Sequence, residues 1–201
     1  MSQILLSTAY FPPVDYMAMI GKGNSIIEVH ESYSRQSYRN RCIIPAANGK
    51  IALILPIDDA DKEIEKIKIL YKEDWQKQHW KTIVSAYNNS PFFNFYSYRY
   101  EGFFSNKYEL LFEFNSLILE QLCKDLGLEK PGKTTFWARS PENTEDFRNL
   151  IHPKKPSVLS IKPYYQVFSD KYGFTKNCSV LDLLFNLGPD AGEYLINIKK
   201  K

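Results

Sequence analysis

The spacing of apolar and polar positions changes several times along the chain, and each change marks an element. Gln3 to Ala9 is a short apolar run that reads as a strand. It stops at Tyr10-Phe11-Pro12-Pro13, where the first proline restricts Phe11 and the pair breaks any ladder. Asp15 starts a helix through Ile20 that ends at Gly21 or Gly23, and Ser25 to Val29 is a second strand. Strand, turn, short helix and strand form a βαβ candidate, right-handed and parallel, with a connection of about a dozen residues, near the lower limit for such a crossover. In parallel sheets ligands lie beyond the carboxyl ends of the strands. The loops after both strands then open onto one edge, and Tyr10, Tyr16, His30 and the arginines that follow it converge there.

Ile43 to Ala46 and Ile51 to Ile57 flank Asn48-Gly49, a strong hairpin signal, with Pro45 and Pro56 making the strands irregular or edge-placed. Lys66 to Tyr71 alternates like a strand. Asp74 caps a helix, WQKQHWKTIVSAY, whose Trp80, Ile83, Val84 and Tyr87 form the buried stripe, with His79 at its border. Pro91 restarts an aromatic helical segment, and Tyr108 to Leu126 is the longest helix, closed by Gly127. Leu111, Asn115, Ile118 and Leu122 share one face of it, so the Asn115 amide must find hydrogen-bond partners there. Lys133 to Arg139 and Pro163 to Phe168 read as strands, Asp146 to Ile151 as a short helix, and His152 to Pro156 as an extended linker with solvated lysines. Ser179 caps a final helix, SVLDLLFNLG, with Asp182 placed close to a capping box; Gly188 stops it and Pro189 opens another. These elements predict an α/β fold: a small, mostly parallel sheet with an N-terminal βαβ unit, a β-hairpin and flanking helices, in a single domain.

The composition narrows the function classes. The 201 residues suit one domain with a substantial core. A net charge of +3, from 26 basic and 23 acidic residues, is too balanced for a general nucleic-acid binder. No stretch approaches the ~20 apolar residues of a membrane span, and the run Ile4 to Leu6 is too short for a signal peptide. Cys42, Cys123 and Cys178 are an odd number without metal spacing and read as reduced thiols of a cytoplasmic protein. There is no Gly-rich phosphate loop, no zinc or EF-hand spacing and no GxSxG elbow, so the sequence names no metal and no cofactor and leaves nucleotide use open.

The densest chemistry lies in His30 to Cys42, HESYSRQSYRNRC. Arg35, Arg39 and Arg41 are joined there by Tyr33, Tyr38 and Asn40, and Glu31 is the acidic residue among them. Planar guanidinium forks suit carboxylates and phosphates, so this reads as an anion-binding corner; the alternative is a basic solvated turn. Among the histidines, His79 and His30 are the acid/base candidates, with a satisfied structural histidine as the alternative for His79.

Four stretches resemble the WbqC-like family of bacterial proteins in its compact form: AYFPPVDYM (9–17), HESYSRQSYRNRCIIPAANGKIALILPI (30–57), WQKQHWKTIVSAYNNSPFF (75–93) with FNSLI (114–118), and NCSVLDLLFNLGP (177–189). The YRNR core and the SVLDLLFN tail are the most specific. Such members are associated with O-antigen and other surface-polysaccharide gene clusters, and a glycine transferase role has been suggested for some. The resemblance implies motif positions at Tyr10, Pro12, Tyr16, Arg35, Asn40, Arg41, Lys77, His79, Asn115, Asp182 and Asn186. One departure stands out: many members carry HQP just before the first tyrosine, where this chain has Leu6-Ser7-Thr8. On this basis the expected function is transfer of a small acyl or aminoacyl group, glycyl being one such group, to a sugar precursor. His79 or His30 would move the proton. Tyr10, Tyr16, Arg35, Asn40, Arg41, Lys77 and Asn115 would bind a small anionic or sugar-linked ligand. The alternatives are a nucleotidyltransferase-like nucleotide-binding enzyme, whose histidine-glycine-histidine signature is missing, and a non-catalytic sugar- or carrier-binding module.

Overall fold

The computed structural model describes residues 2–137 and 142–200. Along the chain the elements are β1 (Gln3–Leu6), α1 (Val14–Ile20), β2 (Ser25–Ile27), β3 (Arg41–Ala46), β4 (Gly49–Ile54), β5 (Ile57–Asp58), a single 3₁₀ turn (Ile64–Lys66), β6 (Lys68–Ile69), α2 (Trp75–Tyr87), α3 (Phe93–Tyr96), α4 (Tyr98–Ser105), α5 (Leu111–Leu126), β7 (Gly132–Lys133), β8 (Thr144–Asp146), α6 (Ser169–Tyr172), α7 (Val180–Leu187) and α8 (Asp190–Asn197). The fold is mixed α/β. Its main sheet has four strands in the order β7-β2-β1-β8, all parallel, so the expected βαβ unit forms its centre. The antiparallel hairpin β3–β4 pairs Ala46 with Gly49, whose φ of 100° closes the two-residue turn.

The helices follow their apolar content. All seven residues of α1 are buried, because VDYMAMI is apolar nearly all round and packs between the sheet and the α7–α8 pair. In α2 the buried face is Trp75, His79, Ile83, Ala86 and Tyr87, rotated from the expected stripe, so that Trp80 and Val84 are only partly covered and His79 lies inside. On α5, Leu111, Asn115, Ile118 and Leu122 are buried together as expected. The α5 helix ends at Gly127 in the left-handed conformation, with φ 63°. Ser179 caps α7 by accepting from Leu181 N, whereas Asp182 turns inward instead of completing a capping box. None of the described helices is long and apolar enough to cross a membrane.

Three expectations change in the second half. The strand expected over Lys133 to Arg139 is confined to Gly132–Lys133, and Ala138 and Arg139 lie outside the described residues. Thr144–Asp146 joins the sheet beside β1 and its chain then turns, so no helix forms from Asp146. Pro163 to Phe168 forms no strand, and its side chains instead tie it to α7 and to the loop before α7. Tyr164 Oη and Gln166 Nε2 both donate to Asp182 Oδ2 at 2.6 and 2.7 Å, and Gln166 Oε1 accepts from Thr175 N.

A second buried carboxylate, Asp15 of α1, accepts from Asn177 Nδ2 at 2.8 Å and ties the loop before α7 to α1. Burial pushes both Asp15 and Asp182 up from 3.8 to about 6. A raised folded-state value means that the folded chain holds these protons more tightly, so their contribution is fully present below pH ~4 and is lost as pH rises to about 6. Asp182→Asn should flatten that fall, by on the order of 3 kcal/mol at most. Urea melts of the parent and the variant between pH 4 and 7 would check it. Parallel curves would mean that Asp182 titrates normally.

Candidate functional site

The carboxyl edge of the parallel sheet carries a ring of charged side chains. Ser7 follows β1, Glu28 follows β2, Thr134 follows β7 and Arg148 follows β8. Arg148 Nη1 donates to Glu28 Oε2 at 2.9 Å, while its Nε and Nη2 hold Asp146. The other oxygen of Glu28 accepts from Thr134 Oγ1 at 2.8 Å and from His30 N at 3.0 Å. Arg39 grips Glu31 with a fork, Nε to Oε1 at 2.8 Å and Nη2 to Oε2, and also donates to Ser7 Oγ at 2.7 Å. Ser7 joins the two halves: its hydroxyl is 2.9 Å from Glu31 Oε2 and 3.2 Å from the main-chain oxygen of Arg148, and its carbonyl accepts from Tyr16 Oη. Burial pushes Glu31 up against the opposing pull of Arg39. Burial also acts upward on Asp146, but the hydrogen bonds and charge of Arg148 outweigh it, and the net direction is down. The space beside Ser7, Tyr16, Arg39 and Arg148 is about 10 Å³, room for at most one water. The Ser7–Arg39 side of the ring is therefore packed shut.

Beside it opens a cleft of about 630 Å³ over the face of the sheet. Leu5 and Ile26 form its apolar lining; Gln3, Glu28, Thr134, Thr135 and Thr144 supply carboxylate, amide and hydroxyl groups; Phe136, 71% exposed, stands in its wall. Glu28 and Thr134 belong to both the cleft and the ring. His30 is tied to the same place through its main chain. Its side chain is 37% exposed, and Glu65 Oε2 lies 3.4 Å from its Nδ1, leaving Nε2 as the nitrogen not engaged by Glu65.

Other expected site residues form an inner layer. Phe11 has a left-handed backbone, φ 40°, which turns Tyr10 and Phe11 into the core, where Phe11 stacks on Phe104. Tyr10 Oη lies 3.0 Å from His79 Nδ1, and the imidazole meets the Trp75 ring edge-on. Burial lowers His79 from 6.5 to about 4, so it is neutral at pH 7 and shares a hydrogen bond with the Tyr10 hydroxyl. Asn115 Nδ2 donates to Arg39 O, and Asn40 Nδ2 to Leu55 O, so both amides fasten the YRNR segment. Arg41 carries a buried Nε without a hydrogen-bond partner among the described residues. Arg35 and Lys77 stand apart on the surface, Arg35 paired with Asp59 at 2.8 Å. Tyr10, Tyr16, Asn40, Arg41, Asn115 and His79 thus gather around the segment that carries Arg39, while Arg35 and Lys77 do not.

The sequence reading gave no role to Ser7, Glu28, Glu31 or Arg148, and it placed Arg39 with Arg35 and Arg41 in an anion-binding corner, whereas Arg39 is buried and held by Glu31. A usable signal was present. Glu28 interrupts the apolar strand SIIEV, and Glu31 sits among three arginines, and acids in such settings are held by paired cations. Arg148, 120 residues from Glu28, carried no local signal.

Residues 8–155 match the WbqC-like protein family. The uncharacterized protein Rv1507c of Mycobacterium tuberculosis is similar, with 21% identity over 221 positions covering 95% of this chain and 96% of that protein. No solved structure matches the chain.

Proposed function

Because the chain belongs to the WbqC-like protein family, we propose that it is a transferase acting on a sugar precursor of cell-surface polysaccharide. The group moved is a small acyl or aminoacyl group, such as glycyl, taken from an activated carboxyl donor. The observation that carries this reading is the cleft. Hydroxyl, amide and carboxylate groups beside an apolar floor and an exposed aromatic ring are what a sugar ring requires, since its faces are apolar and its rim is polar. The cleft lies over the face of the parallel sheet and reaches from Gln3 and Thr144 at the strand starts to Glu28 and Thr134 just past the carboxyl ends, the side on which substrates of such sheets bind.

In this reading the acceptor lies between Phe136 and Leu5, with its hydroxyls directed to Thr134, Thr135 and Gln3. His30 Nε2 takes the proton from the acceptor amine or hydroxyl as the bond to the carboxyl carbon forms and the donor's leaving group departs. Glu65 holds the imidazole. Asn40, Asn115 and the Tyr10–His79 pair act as positioning residues, fixing the segment from which the ring is built. A second reading, a non-catalytic binding module, is favoured by one feature: every acid and base of the ring is satisfied by another, so the ring holds no free nucleophile.

Titration with UDP-N-acetylglucosamine and N-acetylglucosamine, followed by the emission of the neighbouring Trp137, tests the cleft. Binding should change that emission, and Phe136→Ala should weaken it about tenfold by removing the stacking face. Equal affinity of parent and variant would remove the cleft as the sugar site. Mass analysis of the acceptor after incubation with glycyl esters and thioesters separates the two readings: binding without any added mass supports the module.

A further inference from the structure

A separate hollow of about 300 Å³ lies under the segment that follows His152, lined by Lys50 of β4, Lys155, and Lys176 from the loop before α7, with Tyr38, Ser157 and Ser160 between them. We propose that it binds a diphosphate group. The three lysines come from distant parts of the chain, and none has a carboxylate within ion-pair distance among the described residues. Lys66, Lys68, Lys130 and Lys200 each pair with a glutamate, and what distinguishes these three is that they line one hollow together. Lys155 donates only to the main-chain oxygen of Asn149. Converging like charges without a counter-charge repel, and an anion seated between them removes that repulsion.

Neighbouring groups deepen the positive field. His152 is lowered first by burial and then most by Lys155 and Lys154, which places those two cations beside the same segment. The nearby acid, Asp15, is turned into the core, where Asn177, a wall residue of the hollow, occupies its Oδ2. Ser160 and Tyr38 add hydroxyl donors to the lysine ammonium groups, while Ser157 Oγ is engaged by the main chain of Leu159. Several cations around one space call for a multivalent anion, because a monocarboxylate would neutralise only one of them, and lysine serves phosphate well as a point charge. The volume suits a diphosphate and the beginning of what it carries, with Ile43, Leu159 and Ile161 as apolar lining for that part.

Calorimetric titration of the full chain with inorganic pyrophosphate, using acetate as control, tests the site. Pyrophosphate should bind and acetate should not, with binding weakened by added salt. Lys50→Ala and Lys176→Ala remove exposed side chains, so the fold should persist, checked by an unchanged melting temperature. Each should weaken pyrophosphate about tenfold. Absence of pyrophosphate binding at millimolar concentration, or unchanged affinity in both variants, overturns the proposal. Titrations with UDP and with farnesyl diphosphate then identify what is attached. Tighter binding of UDP supports a nucleoside diphosphate, tighter binding of farnesyl diphosphate a prenyl diphosphate, and equal binding recognition of the anion alone. The sugar cleft shares no lining residue with this hollow, so Phe136→Ala reports on that reading independently.

Discussion

Replacing Arg39 with alanine should remove about 3–5 kcal/mol of folding stability, the range for leaving one partner of a buried ion pair alone. For a chain of this length that lowers the melting temperature by roughly 6–20 °C. The reason is the isolation of Glu31. Both side chains are buried, at 6% and 7% exposure, and the carboxylate would keep only Ser7 as a partner while facing Glu28. Burial already pushes Glu31 up, and without Arg39 it moves further in that direction. The penalty should therefore shrink as pH falls and the acid becomes neutral, because the folded state then holds the proton that relieves it. Glu31→Gln in the Arg39→Ala background should restore part of the loss, since a neutral amide is less costly to bury than an unpaired charge. Urea melts at pH 5 and pH 7 measure both effects. A loss below about 1 kcal/mol, typical of exposed pairs, would show that the ring is open to water.

Turnover in the transfer assay should fall by about 10²–10⁴ in His30→Gln, the usual contribution of a general base, with little change in KM. Glutamine keeps hydrogen bonding but cannot accept and release a proton at neutral pH. Glu65→Gln should have a smaller effect and shift the pH profile of kcat, as expected of a residue that acts through the imidazole. His79→Gln should keep turnover, because a glutamine amide, which carries both a donor and an acceptor, can hydrogen-bond Tyr10 Oη in place of the ring nitrogen. If His79→Gln abolishes turnover and His30→Gln does not, the two histidines exchange roles.

The elements that the sequence announced are those whose signals are local. Asn48-Gly49 makes the hairpin, Gly127 and Gly188 stop helices, and Ser179 caps α7, whereas β1 ends at Leu6, short of the expected Ala9 and of Pro12-Pro13. The orientation of α2 was less legible. Trp75 and Trp80 both fit a buried stripe, and the aromatic layer of Tyr10 and Phe114 selects the face that includes His79. The segment after β7 was least legible, because its hydrogen bonds run to side chains far away in sequence, as with Tyr164 and Asp182.

By itself, the sequence determined a parallel βαβ unit, the family, and a basic, aromatic segment after β2 around which site residues gather. Those properties depend on residue type, on periods of two and 3.6, and on turn residues a few positions apart. The tertiary structure alone decided which arginine is locked away and which cations are left to meet a ligand. Arg39 meets Glu31 across a short loop and Arg148 meets Glu28 across most of the chain, whereas Lys50, Lys155 and Lys176 converge without an acid. A charge has no intrinsic role. Its cost and its availability depend on how deeply the fold buries it and on what the fold sets beside it, and those neighbours come from anywhere in the chain.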